Sequence, residues 1–177
     1  MAPAIVLTGF MGCGKTTVGL ELARNLSWGF VDLDEVVTAA SGMEIPAIFA
    51  SEGEKGFRAR EINALRELMK NAKEASVGMV VALGGGTLVQ SVAADLVKGK
   101  ATVVYLDIEA KEAWQRVSGS DRPLASGPEQ FAHLLESRRH IYENIADITI
   151  SVGSFDSKKV VQQILDFIKK ENGLKDV

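Results

Sequence analysis

The chain has 177 residues, with 20 Lys and Arg against 23 Asp and Glu and a formal charge of −3. Hydrophobic residues at 46% and charged residues at 24% exclude wholesale disorder, and the slight acidity removes the general attraction to phosphate backbones that would make nucleic acid an expected partner. The single cysteine, Cys13, excludes an intrachain disulfide framework, and with only two histidines it builds no zinc site of familiar spacing.

In chain order, strand and helix alternate. Ala4 to Thr8 is a short apolar run that stops at glycine, as a strand buried on both faces does. Met1 to Gly14 carries no charge, but it has no basic leader and Lys15-Thr16-Thr17 comes next, so no targeting signal is expected here. A helix is predicted from about Lys15 to Leu26, with Val18, Leu22 and Leu26 on one face, and a second strand over Phe30 to Asp32. Helical pattern fills Glu35 to Ala40 and Ser51 to Ala72, the latter with a stripe of Phe57, Ile62, Leu65, Leu68 and Met69.

Ala75 to Ala94 runs 20 residues without a charge, long enough on paper to span a bilayer. Its glycines and polar residues (Ser76, Gly78, Gly84, Gly85, Gly86, Thr87, Gln90, Ser91) leave an apolar part only a strand long, so it reads as a buried strand, Met79 to Leu83, running into a loop. No membrane association is expected. A fourth strand is predicted over Ala101 to Leu106 and a helix around Ala110 to Val117. The Gly-, Ser- and Pro-rich stretch Ser118 to Pro128 comes next, then helix from Glu129 to Asn144 and strand from Asp147 to Val152. The last helix, Ser157 to Lys170, buries Val160, Val161, Ile164, Leu165 and Ile168. Such alternation argues an α/β fold, a parallel sheet with helices on both faces.

Gly9 to Thr16 satisfies G-x-x-x-x-G-K-[ST] between a strand and a helix. Glycines let successive N–H groups curl around phosphate oxygens, and the helix that starts there adds the positive end of its dipole. Gly12, Cys13, Gly14, Lys15, Thr16 and Thr17 are therefore the candidate nucleotide-binding residues. Lys15 is suited to the β- and γ-phosphates and the Thr16 hydroxyl to Mg²⁺. The chain binds a nucleoside triphosphate on this reading, in a P-loop NTPase fold. Cys13, near a helix N-terminus, is in a place that favours a thiolate, so alkylation there would be blocked by MgATP; an inert thiol is the alternative.

Residues beyond the loop discriminate between switches, motors and kinases. No Asn-Lys-x-Asp base-reading motif of a GTPase is present. Asp107 at the end of an apolar strand loosely resembles the acidic residue of a motor ATPase, or simply caps the next helix. Asp32 and Asp34 end the second strand, where the sheet's carboxyl edge faces a ligand crevice; Asp34 is alternatively a helix cap. Arg58 and Glu61 lie one turn apart, and the triple glycine Gly84-Gly85-Gly86 can expose backbone N–H groups to a close ligand. Arg116, Arg122 and Arg138 add positive charge on and beyond the polar stretch.

Taken in order, these residues resemble the shikimate kinases. The resemblance rests on the Gly9 to Thr16 loop, Asp32-x-Asp34, Phe49, Gly53-Glu54-x-x-Phe57-Arg58, the triple glycine, Arg116, Arg122-Pro123-Leu124 and Arg138-x-x-x-Tyr142. Ala125 and His140 stand where the family often has leucine and proline. The resemblance implies a five-stranded parallel sheet and a single kinase domain over residues 1–177, with an acceptor segment at about 33–61 and a mobile lid at about 118–128. It implies transfer of the ATP γ-phosphoryl to the 3-hydroxyl of shikimate by a cytoplasmic monomer using Mg²⁺. Lys15, Asp34 and Arg122 are then catalytic; Arg116 and Arg122 join the ATP site; Thr16, and Asp32 through a water, hold the metal. Asp34, Phe57, Arg58, Glu61, Gly84, Gly85, Gly86 and Arg138 form the acceptor site, with Glu61 orienting Arg58. A kinase for another small acceptor such as gluconate or a nucleoside monophosphate, or a non-catalytic ATP-binding module, is the alternative.

Overall fold

The computed structural model describes residues 4–118, 127–153 and 156–171. Five parallel strands form one sheet: β1 (Ala4–Thr8), β2 (Gly29–Asp32), β3 (Met79–Ala82), β4 (Thr102–Asp107) and β5 (Ile148–Ser151), in the order β2-β3-β1-β4-β5. The helices between and after them are α1 (Lys15–Leu26), α2 (Leu33–Ser41), α3 (Ile45–Glu74), α4 (Ser91–Val97), α5 (Ala110–Val117), α6 (Pro128–Ile145) and α7 (Ser157–Glu171).

Central β1 is buried along its whole length, and its alternate side chains serve two different cores. Ile5 and Leu7 face one layer, with Val18 and Leu22 of α1 and Val160, Val161 and Ile164 of α7. Ala4 and Val6 face the other, with Leu65, Leu68 and Met69 of α3 and Ala93 and Val97 of α4. Each fully buried Leu or Ile contributes about 1.5–3 kcal/mol. The chain leaves β1 first toward β3 and β2, then returns to add β4 and β5 on the other side. The order reverses at β1, so the crevice of this sheet opens at the carboxyl end of β1, where the glycine-rich loop stands.

Two local readings change and one alternative falls. Ser91–Val97 is helix, not loop; it buries only Ala93 and Val97, a single i,i+4 pair too short to show a period. The helix expected from Ser51 begins instead at Ile45, with Pro46 in its first turn, and bends at Gly53, whose φ of 68° and ψ of −176° suit glycine. The cap of α2 is Asp32, whose side chain accepts from the Asp34 N–H at 3.0 Å, so Asp34 is not the cap. Among the described residues no helix is long and apolar enough to cross a membrane.

Candidate active site

The loop from Gly9 to Gly14 wraps over the end of β1 with Gly9, Gly12 and Gly14 at φ of 142°, 84° and 96°. A Cβ on Gly9 would stand 2.5 Å from the Leu106 carbonyl oxygen and 2.8 Å from Cys13 Sγ, so the loop seats against β4 only with glycine there. Gly14 precedes α1, and Lys15 opens it. The Lys15 ammonium folds back onto its own loop, donating to the Gly9 and Phe10 carbonyls at 2.8 and 3.2 Å. Thr16 Oγ1 donates to Asp32 Oδ2 at 3.1 Å, and Asp32 Oδ1 accepts the Asp34 N–H, so both oxygens of Asp32 are oriented.

These groups bound a cavity of about 430 Å³ whose walls include Gly12, Lys15, Thr17, Asp34, Gly84 and Arg116. Arg116 reaches from α5 to donate to the Gly12 carbonyl at 3.1 Å and to the Val152 and Gly153 carbonyls at 3.2 and 3.1 Å. It thereby ties the phosphate loop to the segment after β5.

Cys13 does not join this cavity. Its side chain is fully buried in the α1 and α7 layer, because the loop turns it inward against Gly9. The reading of a reactive, nucleotide-protected thiol gives way to that of a buried, inert one. A thiol reagent is expected to label Cys13 only when denaturant is present, at a rate in native buffer that MgATP does not change. Prompt labelling of the native protein would contradict this placement.

Among the residues predicted to meet the acceptor, a carboxylate lies in the apolar face of α3. Phe57, Glu61, Leu65, Leu68 and Ala72 form its buried stripe, and Glu61 is 0% exposed. Arg58 Nη1 donates to Glu61 Oε2 at 2.5 Å. From the outer side, Arg58 Nε and Nη2 also reach Glu54 Oε1, both at 3.3 Å. The Arg58 guanidinium lies 5.2 Å from the Phe57 ring centre. Phe57 packs with Val37 and Ile48, and its ring sits 4.8 Å from that of Phe49, so its place is the local core beneath Arg58.

The triple glycine joins the two arginines. A Cβ on Gly86 would stand 2.5 Å from Arg58 Nη2, and a Cβ on Gly84 would stand 2.8 Å from Glu61 Oε1 and 3.0 Å from Asp34 Oδ1. The Gly85 carbonyl accepts from Arg138 Nη1 at 3.3 Å and from the Tyr142 hydroxyl. The Arg138 guanidinium lies 5.8 Å from the Phe10 ring centre. Arg58 on α3 and Arg138 on α6, 80 positions apart in sequence, thus meet over one short turn. Gly85 itself leaves room, with its nearest contact, the Met11 nitrogen, at 3.5 Å.

Arg122 and most of the polar stretch fall in residues 119–126, outside the described residues. Thr87 and Gln90 bond Glu61, and sequence reasoning misses both; the available signal is a charge in the apolar stripe of α3, which needs donors. Asp107 is neither a helix cap nor part of the cavity wall. Glu109 precedes α5 in the cap position, while Asp107 pairs with Arg139 and accepts from Tyr105 at 2.7 Å. Among the described residues no three His, Cys, Asp or Glu side chains form a metal cage. The Thr16–Asp32 pair supplies hard oxygen donors of the kind Mg²⁺ takes when phosphate and water complete its shell.

Both tyrosines of the chain are buried, Tyr142 with its hydroxyl on the Gly85 carbonyl. Burial raises the Tyr142 hydroxyl to about 12, partly opposed by the charge of Arg138. Burial, then the hydrogen bond to Asp107, raises Tyr105 as well. The folded chain therefore holds protons that an unfolded tyrosine releases from its ordinary value of 10.0. For Tyr142 that stability contribution is fully present below about pH 10 and is lost as the pH rises through about 12. Urea midpoints are expected to fall across that window, with a shallower fall in Tyr142→Phe. An unchanged slope in the variant would contradict the assignment.

A glycine-rich loop at the switch point of a parallel sheet, a Lys-Thr pair under it, and a cavity that runs from them to the triple glycine define a P-loop kinase. The family model for shikimate kinase matches residues 11–169. The chain is 36% identical to the shikimate kinase of Haemophilus influenzae over 175 residues, covering 96% of this chain and 94% of the relative. It is 39% identical to that of Streptomyces coelicolor over 171 residues, covering 95% and 96%. The solved structure of the Acinetobacter baumannii shikimate kinase in complex with shikimate superposes with a TM-score of 0.90 at 37% identity, covering 99% of this chain and 97% of that one. The chain belongs to the shikimate kinase family.

Proposed function

We propose that the protein transfers the γ-phosphoryl group of ATP to the 3-hydroxyl of shikimate, giving shikimate 3-phosphate and ADP. The observation that carries this reading is the seating of Arg58 and Arg138 on one triple-glycine turn beside the phosphate loop. Shikimate has one carboxylate and three hydroxyls. Two guanidinium forks separated by a glycine backbone match the carboxylate in charge and shape, and Asp34, on the cavity wall with Lys15, Gly84 and Gly85, can accept from neighbouring hydroxyls.

In this reading the bond from the acceptor oxygen to the γ-phosphorus forms as the bond to the β,γ-bridging oxygen breaks, its electron pair staying on ADP, and the hydroxyl proton is released to solvent. A loose transition state asks the protein for position and charge more than for covalent help. Lys15 leaves its loop carbonyls for the phosphate oxygens, and the loop N–H groups of Gly12 to Thr17 cradle them. Arg116 lines the adenine side, and Arg122 brings charge from the segment before α6. Thr16, and Asp32 through a water, would hold Mg²⁺, which when bound neutralises phosphate charge. Asp34 fixes the attacking hydroxyl in line. Substrates are small molecules, and the reading places the enzyme in the cytoplasm as a monomer.

The test is ³¹P NMR of a mixture of protein, MgATP and shikimate. One new phosphomonoester coupled to the proton on carbon 3 supports the reading. ADP without that resonance, or phosphate on another hydroxyl, would overturn it.

A further inference from the structure

The Glu61 carboxylate does more than face Arg58; it is held from behind. Thr87 comes directly after the triple glycine and opens a single 3₁₀ turn, Thr87–Val89. Its N–H closes the preceding triple-glycine turn on the Gly84 carbonyl at 3.1 Å, and its hydroxyl donates to Glu61 Oε1 at 2.7 Å. Both residues are 0% exposed. The Gln90 amide approaches Glu61 Oε2 at 3.5 Å, a weaker contact on the oxygen that Arg58 already occupies. One carboxylate oxygen thus takes the arginine and the other takes the threonine.

Arg58 has a second carboxylate within reach. Glu54 meets it on the solvent side, and the Glu54 side chain is 68% exposed against 0% for Glu61. A guanidinium on a flexible stem moves between two such anchors unless one is fixed. The Glu61 anchor is fixed only as far as its own rotation is blocked, and among the described residues Thr87 supplies the short hydrogen bond to Oε1.

We propose that Thr87 is a positioning residue for the acceptor carboxylate: its hydroxyl locks Glu61, and Glu61 in turn keeps Arg58 over the triple glycine rather than out toward Glu54. This rests on the reading of Arg58 as the carboxylate partner of shikimate. Thr87 touches no reacting atom and acts through two intermediaries, so its effect belongs to acceptor binding. A valine of similar shape keeps the packing and leaves Glu61 Oε1 without its donor.

Steady-state kinetics of the full chain test the proposal, with wild type, Thr87→Val and Thr87→Ser measured side by side. Thr87→Val is expected to raise KM for shikimate about tenfold or more, the scale of loss when an outer positioning partner is removed. The kcat and the KM for MgATP stay within about twofold, since chemistry and nucleotide binding are untouched. Thr87→Ser restores the shikimate KM, and adding Glu54→Gln to Thr87→Val recovers part of it by removing the competing anchor. If Thr87→Val does not fold, Thr87→Ala against Thr87→Ser gives the same comparison.

A shikimate KM that does not move in the valine or alanine variant overturns the proposal. So does a rise equal for shikimate and MgATP that serine fails to reverse, which marks a purely structural role. Normal wild-type turnover beside either result overturns this inference alone, whereas no shikimate turnover by the wild type removes the functional reading and this inference with it.

Discussion

Arg58→Leu is expected to destabilise the fold by about 3 kcal/mol and to abolish measurable saturation by shikimate. Removing one member of a buried ion pair strands the other charge, and such losses are typically about 3–5 kcal/mol. Glu61 keeps Thr87 and Gln90 as donors, which places the loss at the lower end. The double replacement Arg58→Leu with Glu61→Leu separates the two effects. It restores most of the urea midpoint, because an apolar pair of similar volume suits the stripe of α3, and it restores none of the shikimate saturation. Full stability in Arg58→Leu alone would mean that Glu61 does not depend on it.

Gly84→Ala carries the second large effect. Its Cβ would stand 2.8 Å from Glu61 Oε1, 3.0 Å from Asp34 Oδ1 and 3.1 Å from Thr87 Oγ1, so one methyl group presses on three polar side chains. Contacts this close force something to move. Glu61 is the least able to yield, being enclosed and bonded at both oxygens, and Asp34 is the group to be displaced toward the cavity. A displacement of about 1 Å at a positioning group is enough to cost about 100-fold in rate. We expect kcat/KM for shikimate to fall by that order, with MgATP affinity unchanged because none of the three side chains pressed by the methyl group belongs to the phosphate loop. Nucleotide affinity lost in parallel would show that the two halves of the cavity are not independent.

The strand and helix order and the phosphate loop were legible because each rests on local rules: buried runs stopping at glycine, and a loop whose residue types are dictated by phosphate geometry. The residues read as the acceptor side were singled out by resemblance more than by physics. Nothing in the spacing of Arg58 and Arg138 brings them together; the sheet order does, by carrying α3 and α6 to the same triple glycine. Three of the alternatives weighed from the sequence fall for one cause, that direction of a side chain is not written in its position. Cys13 faces the core although its neighbours face the cavity. Asp32, not Asp34, caps α2, because the helix starts two residues earlier than its apolar pattern suggests. Asp107 turns to Tyr105 and Arg139 instead of toward the nucleotide. Helix α4 escapes notice because seven residues with two buried alanine- and valine-sized contacts show no period. Thr87 lies next to a recognised motif, and its role emerges only with the knowledge that Glu61 is buried.

On the functional reading, one cavity joins a nucleotide site to a pocket built for a compact hydroxylated acid. Its most direct test is ADP release from MgATP in parallel tubes holding shikimate, gluconate, AMP or no acceptor. Rapid, saturable release with shikimate is expected, with near-background release in the other three. Equal slow release in all four, or preference for gluconate or AMP, would contradict it.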